Sequence, residues 1–201
     1  KFYGFVNNIK VLEAKIHNEH QALGSFGIAT ANANIKVENY RVIDLTELNN
    51  EAGASVAHGI TLPASGSGKL LASADLGNYV ASTTVSFGDA AASTAKLLIA
   101  KSGDKELYAN VCKDGTVTVT LGDKTLMQGT ATIADTANVV IKTVYVNGSV
   151  KVSVDGTEIG YGFALTNLPA KYGYILDGNS TVNAISLNQT SASISSVSFR
   201  S

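Results

Sequence analysis

The sequence predicts an all-β fold, a sandwich or a barrel of short strands, for three reasons. Short segments rich in β-branched and aromatic residues follow one another from residue 69 to the last residue, at the spacing of about 8–12 residues that is typical of sandwiches and barrels. Asn147-Gly148 and Asp155-Gly156 are dipeptides that two-residue hairpin turns prefer, because both turn residues take positive φ. Strands do not alternate with helical patterns, which argues against a parallel α/β fold.

Each predicted strand is a short run that ends near a turn signal. In TVTVTLGD, Thr alternates with Val or Leu at the period of two that a half-buried strand requires. The other predicted strands, in chain order, are YVASTTVSF, AKLLIAKSGD, ELYANVCKDG, ANVVIKTVYVNG, SVKVSVDG, TEIGYGFAL, KYGYILDGNS, TVNAISL and SISSVSFRS. No domain linker separates them, so we expect a single domain over residues 1–201.

The first 25 residues have two interpretations, a short helix or strands, and they are also a segment that copies of the chain could exchange. A short helix is favoured by apolar residues at helical spacing, a capping asparagine and a terminal glycine, namely Ile9, Leu12, Ile16 and Leu23 with Asn8 and Gly24. The segments FYGFV, IKVLEAKI and ANIKVENYRVIDL also have the composition of strands. Residues 47–68 are polar and Gly-rich and are expected to form a long loop.

Composition limits the partners of the chain. Of 201 residues, 45% are hydrophobic and only 15% are charged, with a net charge of −1. This balance predicts a sizeable core and a surface covered by Ser, Thr, Asn and Gly. It argues against nucleic acid and anionic membranes as partners, and no apolar run is long enough to span a membrane. Together with a first residue that is Lys1 and not Met, this surface predicts a secreted protein or one at a cell or virion surface.

Gly66-Ser67-Gly68-Lys69 looks like a phosphate-binding loop but lacks what that loop needs. The first glycine position of the motif is occupied by Pro63, and the hydroxyl position after Lys69 is occupied by Leu70, which cannot bind magnesium. The stretch is therefore expected to be a surface turn.

No catalytic constellation is found, so we expect the protein not to be an enzyme. Cys112 is the one cysteine of the chain, and it is expected to pack on a strand as a small hydrophobic residue. His17 and His20 have no third metal ligand near them in the sequence. The Gly-x-Ser-x-Gly motif of serine hydrolases is absent.

The stretch VVIKTVYVNGSVKVSVDGTEI, Val139–Ile159, resembles one sheet of the concanavalin A-like, laminin G-like jelly rolls. The later segments YGYILDGNSTVNAISL and SISSVSFRS resemble the return to the other sheet and the closing strand of those domains. The resemblance covers about residues 70–201. It implies a two-sheet antiparallel sandwich of secreted type, often used to bind glycans, proteins or calcium, and it carries no catalytic pair across.

Two turns offer oxygen atoms that suit calcium. Asp177-Gly178-Asn179-Ser180 and Asp75-Leu76-Gly77-Asn78 each present two side-chain oxygens on a bent backbone. Asp177 and Asn179 are the first candidates, followed by Asp75 and Asn78. The alternative is that Asp, Gly and Asn serve here only as turn formers.

Two functions of different classes remain. The first is a surface-structural or adhesive subunit that assembles with copies of itself, because uncharged segments such as TVTVTL and SISSVSF offer little opposition to strand addition. The second is a carbohydrate-binding module in which Tyr161, Tyr172 and Tyr174 form an aromatic patch. Those tyrosines are equally compatible with the core and rim of two strands, and the chain has no Trp. The first function is the favoured prediction.

Overall fold

The computed structural model describes residues 2–6, 9–14, 31–36, 59–63, 69–72, 76–164, 168–189 and 199–200. The chain divides into two compact units, residues 1–43 and 44–201, and each is described by itself. All regular structure in the described residues is β-strand. No helix in this part of the chain is long and apolar enough to cross a membrane.

In the first unit, β1 (Phe2–Val6) and β2 (Ile9–Ala14) form an antiparallel hairpin. The predicted helix is therefore wrong over Ile9–Ala14, and the alternative strand interpretation is confirmed there. Aromatic and β-branched residues in FYGFV provide a pairing partner, and this pairing outweighs the helical spacing of Ile9 and Leu12. Residues 15–24 of the predicted helix lie outside the described residues.

The second unit contains thirteen described strands. They are β3 (Gly59–Pro63), β4 (Lys69–Ala72), β5 (Tyr79–Ser86), β6 (Thr94–Ser102), β7 (Lys105–Cys112), β8 (Thr116–Leu121), β9 (Lys124–Thr130), β10 (Val139–Val146), β11 (Ser149–Val154), β12 (Thr157–Phe163), β13 (Ala170–Leu176), β14 (Thr181–Gln189) and β15 (Phe199–Arg200).

These strands form two antiparallel sheets packed around one core. The six-stranded sheet has the order β12-β11-β10-β5-β14-β3, and the seven-stranded sheet has the order β15-β4-β13-β6-β7-β8-β9. The predicted all-β, two-sheet sandwich is thus confirmed. Asn147-Gly148 and Asp155-Gly156 lie between consecutive strands with φ of 47° and 84°, and of 48° and 78°, as predicted for two-residue hairpin turns.

One strand lies inside the predicted loop of residues 47–68. Gly59–Pro63 is β3, which pairs with β14 at the edge of the six-stranded sheet. Ile60 and Leu62 alternate with Thr61, and Pro63 is acceptable because it ends an edge strand. The loop prediction is wrong for these residues, and residues 47–58 and 64–68 lie outside the described residues.

Alternating side chains of both sheets fill the core. In β7, for example, Leu107, Ala109 and Val111 are fully buried, and the residues between them are more exposed. The same period of two recurs in β8, where Val117 and Val119 face inward. The core is therefore a continuous apolar layer between the sheets.

A buried tyrosine crosses this layer where two strands lose their regular register. The pairing of β6 with β7 and of β6 with β13 shifts at this point, and the regular register skips Ile99 and Lys171. The hydroxyl of Tyr79, on β5 of the opposite sheet, lies 3.1 Å from the Ile99 carbonyl oxygen and 2.9 Å from that of Lys171. The one hydroxyl proton of Tyr79 is therefore shared between two carbonyl oxygens at a β-bulge of the opposite sheet.

A second tyrosine links the sheets close by. The Tyr172 hydroxyl lies 2.6 Å from Thr83 Oγ1, with both residues fully buried. Burial is the main cause that raises the pKa of both the Tyr79 and Tyr172 phenols above the usual value. Both rings therefore stay neutral in the folded protein at any ordinary pH.

We expect the protein to unfold in alkali because of these two phenols. A raised pKa in the folded state gives stability that is complete below the unfolded value of about 10 and is lost as the pH rises toward the folded values. Tyrosinate absorbance and circular dichroism should therefore change together above about pH 10. Ionisation of every tyrosine with an unchanged circular dichroism spectrum would contradict this assignment.

Edge strands β9 and β12 lie against each other and close one side of the sandwich. Glycines allow the approach. A Cβ at Gly129 of β9 would lie 2.6 Å from Ile159 Cγ2 of β12, and a Cβ at Gly162 of β12 would lie 2.7 Å from Cγ1 of Val119 on β8, the strand next to β9. TVTVTL, as β8, pairs with β7 on one side and β9 on the other, so its backbone groups are already used.

Candidate ligand-binding face

The outer face of the seven-stranded sheet carries a group of polar side chains around one tyrosine. Alternation along β7 places Glu106, Tyr108 and Asn110 on this face, and alternation along β8 places Thr118 and Thr120 beside them. All five side chains are partly exposed. We call these residues, with Lys101 of β6, the polar face.

The outer face of the six-stranded sheet differs in accessibility. Val144, Ser149 and Lys151 point away from the core by the same alternation and are nevertheless buried. Of the two outer sheet faces, the polar face of the seven-stranded sheet is therefore the more accessible to a ligand.

Glu106 fixes the position of Tyr108. Its Oε1 accepts a hydrogen bond of 2.6 Å from the Lys101 ammonium, and its Oε2 accepts one of 3.0 Å from the Tyr108 hydroxyl. Lys101 and Glu106 are direct partners across the β6–β7 hairpin, so one ion pair neutralises both charges. Burial, helped by the bond to Glu106, raises the pKa of Tyr108 to about 12, so its hydroxyl remains a donor to the carboxylate.

Asn110 joins the next strand. Its Nδ2 donates to Thr118 Oγ1 at 3.1 Å and to Thr120 Oγ1 at 3.2 Å. Both amide protons are thus committed within the sheet. Among the described residues, no hydrogen bond uses the hydroxyl protons of the two threonines or the carbonyl oxygen of Asn110.

This arrangement suits a ligand rich in hydroxyl groups. The threonine hydroxyls can donate, and the Asn110 carbonyl oxygen and Tyr108 phenol oxygen can accept. The Tyr108 ring lies among them as an apolar surface. Hydrogen bonds within the sheet already fix the orientation of these side chains. Little side-chain entropy is therefore lost when a ligand binds.

The structure separates the tyrosines that the sequence suggested as an aromatic patch. Tyr172 and Tyr174 have 0% and 2% of their surface exposed and belong to the core. Tyr161 lies on β12, where its ring stacks on Phe163 at 6.3 Å and its hydroxyl donates to Glu158 at 2.9 Å. Tyr161 is also buried, so these three rings do not form one exposed platform in this conformation.

The residues suggested for calcium lie at two ends of the sandwich. Asp177 and Asn179 follow the last residue of β13, whereas Asn78 lies next to Leu76, which bridges to the first residue of that strand. Seven residues of strand separate the ends by about 20 Å. One ion cannot bind both turns. Asp75 lies outside the described residues.

Protein groups already occupy several oxygens of these turns. Asp177 Oδ2 accepts from Thr94 Oγ1 at 3.0 Å, and Asn78 Oδ1 accepts from the Asn147 amide at 3.0 Å. Near Asp177, the Gly88 carbonyl oxygen accepts from the Lys113 ammonium at 2.7 Å. The described residues contain no cluster of three or more His, Cys, Asp and Glu side chains, and calcium at Asp177 and Asn179 stays a prediction.

Cys112 lies at the border of the polar face and is partly exposed. Burial, together with the nearby Asp114, raises the pKa of its thiol. This shift disfavours the thiolate that a nucleophilic cysteine requires.

A cleft of about 390 Å³ is found at the end of the sandwich where Asn78 lies. Its lining is mostly apolar and includes Leu76, Leu168 and Pro169. The Tyr145 hydroxyl at this cleft donates to the Leu168 carbonyl oxygen. Asn78 and Asn147 also line the cleft, and Asn78 Oδ1 is already engaged by the Asn147 amide.

ELYANVCKDG is predicted to be a strand from its sequence, but neither Tyr108 nor Asn110 is among the predicted site residues. The sequence does contain a pattern that indicates the outward face, because Leu107, Ala109 and Val111 alternate with Glu106, Tyr108 and Asn110. Once the apolar set is assigned to the core, the other set must face solvent.

Comparison with known proteins gives the class of the fold. No protein-family model and no curated protein sequence matches the chain. Among solved structures, a β-fructofuranosidase from Schwanniomyces occidentalis has a TM-score of 0.52 and 6% identity over 67% of this chain and 33% of that chain. The carbohydrate-binding module CBM66 from Bacillus subtilis has a TM-score of 0.46 and 15% identity over 68% and 84% of the two chains. Xenopus laevis galectin-Ib has a TM-score of 0.48 and 15% identity over 60% of this chain and 99% of that chain.

These identities show a shared fold alone. The chain therefore has the fold of a jelly-roll β-sandwich, which confirms the fold that the resemblance at Val139–Ile159 implied. The alignment to the β-fructofuranosidase spans one third of that enzyme.

Proposed function

We propose that this chain is a non-enzymatic, extracellular carbohydrate-binding module that holds a glycan on the polar face. One observation carries the proposal: Asn110, Thr118 and Thr120 form a hydrogen-bonded group on an accessible sheet face, beside the ring of Tyr108. Sugars present alternating hydroxyl groups and apolar ring faces. An aromatic surface flanked by hydroxyl and amide groups matches both features.

One fold neighbour gives secondary support. The β-fructofuranosidase structure from Schwanniomyces occidentalis is a complex with fructosyl-erythritol, and this chain matches one third of that enzyme. A shared fold does not transfer a ligand, so the proposal depends on the side chains of the polar face.

Self-assembly through strand addition, the function that sequence analysis favoured, stays a prediction. Its support at TVTVTL is weaker in the structure, because β8 is paired on both sides. Of SISSVSF, only Phe199 is among the described residues, and it pairs with β4. The polar face is therefore the better-supported basis for a function.

We expect Tyr108→Ala and Asn110→Ala each to reduce glycan affinity at least tenfold, a loss of about 1.4 kcal/mol of binding free energy. Tyr108→Ala removes the aromatic ring surface. Asn110→Ala removes a hydrogen-bond acceptor and the two hydrogen bonds that orient Thr118 and Thr120. The measurement is retention on a glycan array followed by titration calorimetry with the best-retained saccharide.

Asn183→Ala is the matched control. Asn183 is exposed on the six-stranded sheet, where its amide donates to the Ala137 carbonyl oxygen. This variant should bind as the unmodified protein does. Equal binding by all three variants, or no retained glycan at all, would contradict the proposal.

A further inference from the structure

One cation beside the polar face, Lys96, forms no ion pair within the part of the chain that the structure describes. Lys96 on β6 stands directly opposite Asn110 on β7, one row away from the Leu98–Tyr108 pair. Its side chain is exposed. Residues directly opposite each other in an antiparallel pair have Cβ atoms about 4.5–5.5 Å apart, so the Lys96 ammonium reaches a ligand that contacts Asn110.

The charges around Lys96 distinguish it from Lys101, the lysine of the polar face. Lys101 is held by Glu106 through an ion pair of 2.6 Å. No acidic side chain stands opposite Lys96, because its cross-strand neighbours on the two sides are Asn110 and Ile175. The Glu106 carboxylate of the polar face is thus already engaged. Asp177, the acidic residue one row away from Lys96, accepts a hydrogen bond from Thr94 Oγ1. No ion pair to Lys96 is found among the described residues, so its positive charge is available beside the hydrogen-bonding group.

Resting on the function proposed above, we propose that the glycan is acidic and that Lys96 pairs with the carboxylate of a uronic acid residue. The sugar ring lies along Tyr108 and Asn110, and its carboxylate lies toward Lys96. An exposed ion pair adds a modest amount of affinity. Its main effect is selectivity for the acid over the same sugar without a charge.

A uronic acid fits better than a polysulfated chain. The whole protein has a net charge of −1, and proteins that bind dense polyanions concentrate many lysines and arginines on one surface. A single unpaired ammonium beside neutral hydroxyl and amide groups matches one negative charge per recognised sugar.

The test uses the full chain and matched pairs of ligands. Oligogalacturonate and hyaluronan fragments are each compared with their carboxyl methyl esters, and dextran sulfate is included as a polysulfated probe. We expect at least one uronate to bind about fivefold more tightly than its ester at low salt. The difference should vanish at about 1 M salt, where the screening length falls to about 3 Å.

Lys96→Gln should abolish the difference between acid and ester while the ester still binds as it does to the unmodified protein. Lys124→Gln is the matched control, because Lys124 is exposed at the start of β9 and away from Asn110. That variant should keep the preference for the acid.

The outcomes separate this inference from the proposed function. Glycan binding that depends on Tyr108 but is equal for acid and ester overturns the role of Lys96 and leaves the proposed function intact. Tighter binding of dextran sulfate than of either uronate also overturns the inference. A protein that retains no saccharide at all overturns both proposals.

Discussion

Gly115→Ala is expected to lower the free energy of unfolding by about 4 kcal/mol, because two costs coincide at this turn. Gly115 ends the turn between β7 and β8 with φ of +88°, a conformation that costs an alanine about 1–2 kcal/mol. A Cβ there would also overlap the carbonyl oxygen of Ala131. That backbone cannot withdraw freely, because the Ala131 amide donates to the Gly115 carbonyl oxygen at 2.8 Å.

Gly122→Ala separates the two costs. Gly122 also has a positive φ, of +55°, but a Cβ there meets nothing within 4 Å. We expect this variant to lose only about 1 kcal/mol. Urea denaturation of both variants, followed by circular dichroism, measures the difference. Equal losses would mean that residues near Ala131 move aside and that the overlap costs nothing.

Tyr79→Phe is expected to lower the free energy of unfolding by about 2 kcal/mol, although it removes a single oxygen atom. The ring remains in the core, but the carbonyl oxygens of Ile99 and Lys171 lose the hydroxyl group that lies between them. Deleting the donor to a buried carbonyl oxygen, here that of Ile99, costs about 1–3 kcal/mol. Amide hydrogen exchange in β6 and β13 near these carbonyls should also become faster.

Tyr108→Phe is the control for this change. The Tyr108 hydroxyl is partly exposed, and its loss leaves Glu106 still bonded to Lys101. Water replaces the missing donor, so we expect a loss of about 0.5 kcal/mol. A similar loss in the two Tyr→Phe variants would show that the bulged carbonyls do not depend on Tyr79.

The sandwich was predictable because its signals are local. Asn147-Gly148 and Asp155-Gly156 allow only a narrow set of turns, and TVTVTL has a strict period of two. Strand β9 was not predicted, since KTLMQGT combines lysine, glutamine and glycine with few β-branched residues. Its conformation follows from pairing with β8 and from packing against β12, which no short window of sequence reveals.

The candidate site was less predictable because it depends on which face of a strand is covered. YGYIL places Tyr172 and Tyr174 on one face, and a shift of one residue in register decides between core and solvent. The position of Lys101 opposite Glu106 and of Asn110 opposite Thr118 depends on the register of two hairpins. The sequence contains the hairpins, but the cross-strand partners emerge only when both registers are known.

The alternation along β7 has a consequence for how this protein can change over generations. Leu107, Ala109 and Val111 maintain the fold, while Glu106, Tyr108 and Asn110, interleaved with them, form the polar face. Selection can therefore exchange every second residue of the strand and alter ligand preference while the inherited core stays intact. Relatives of this chain are expected to diverge first at the outward positions of β6, β7 and β8.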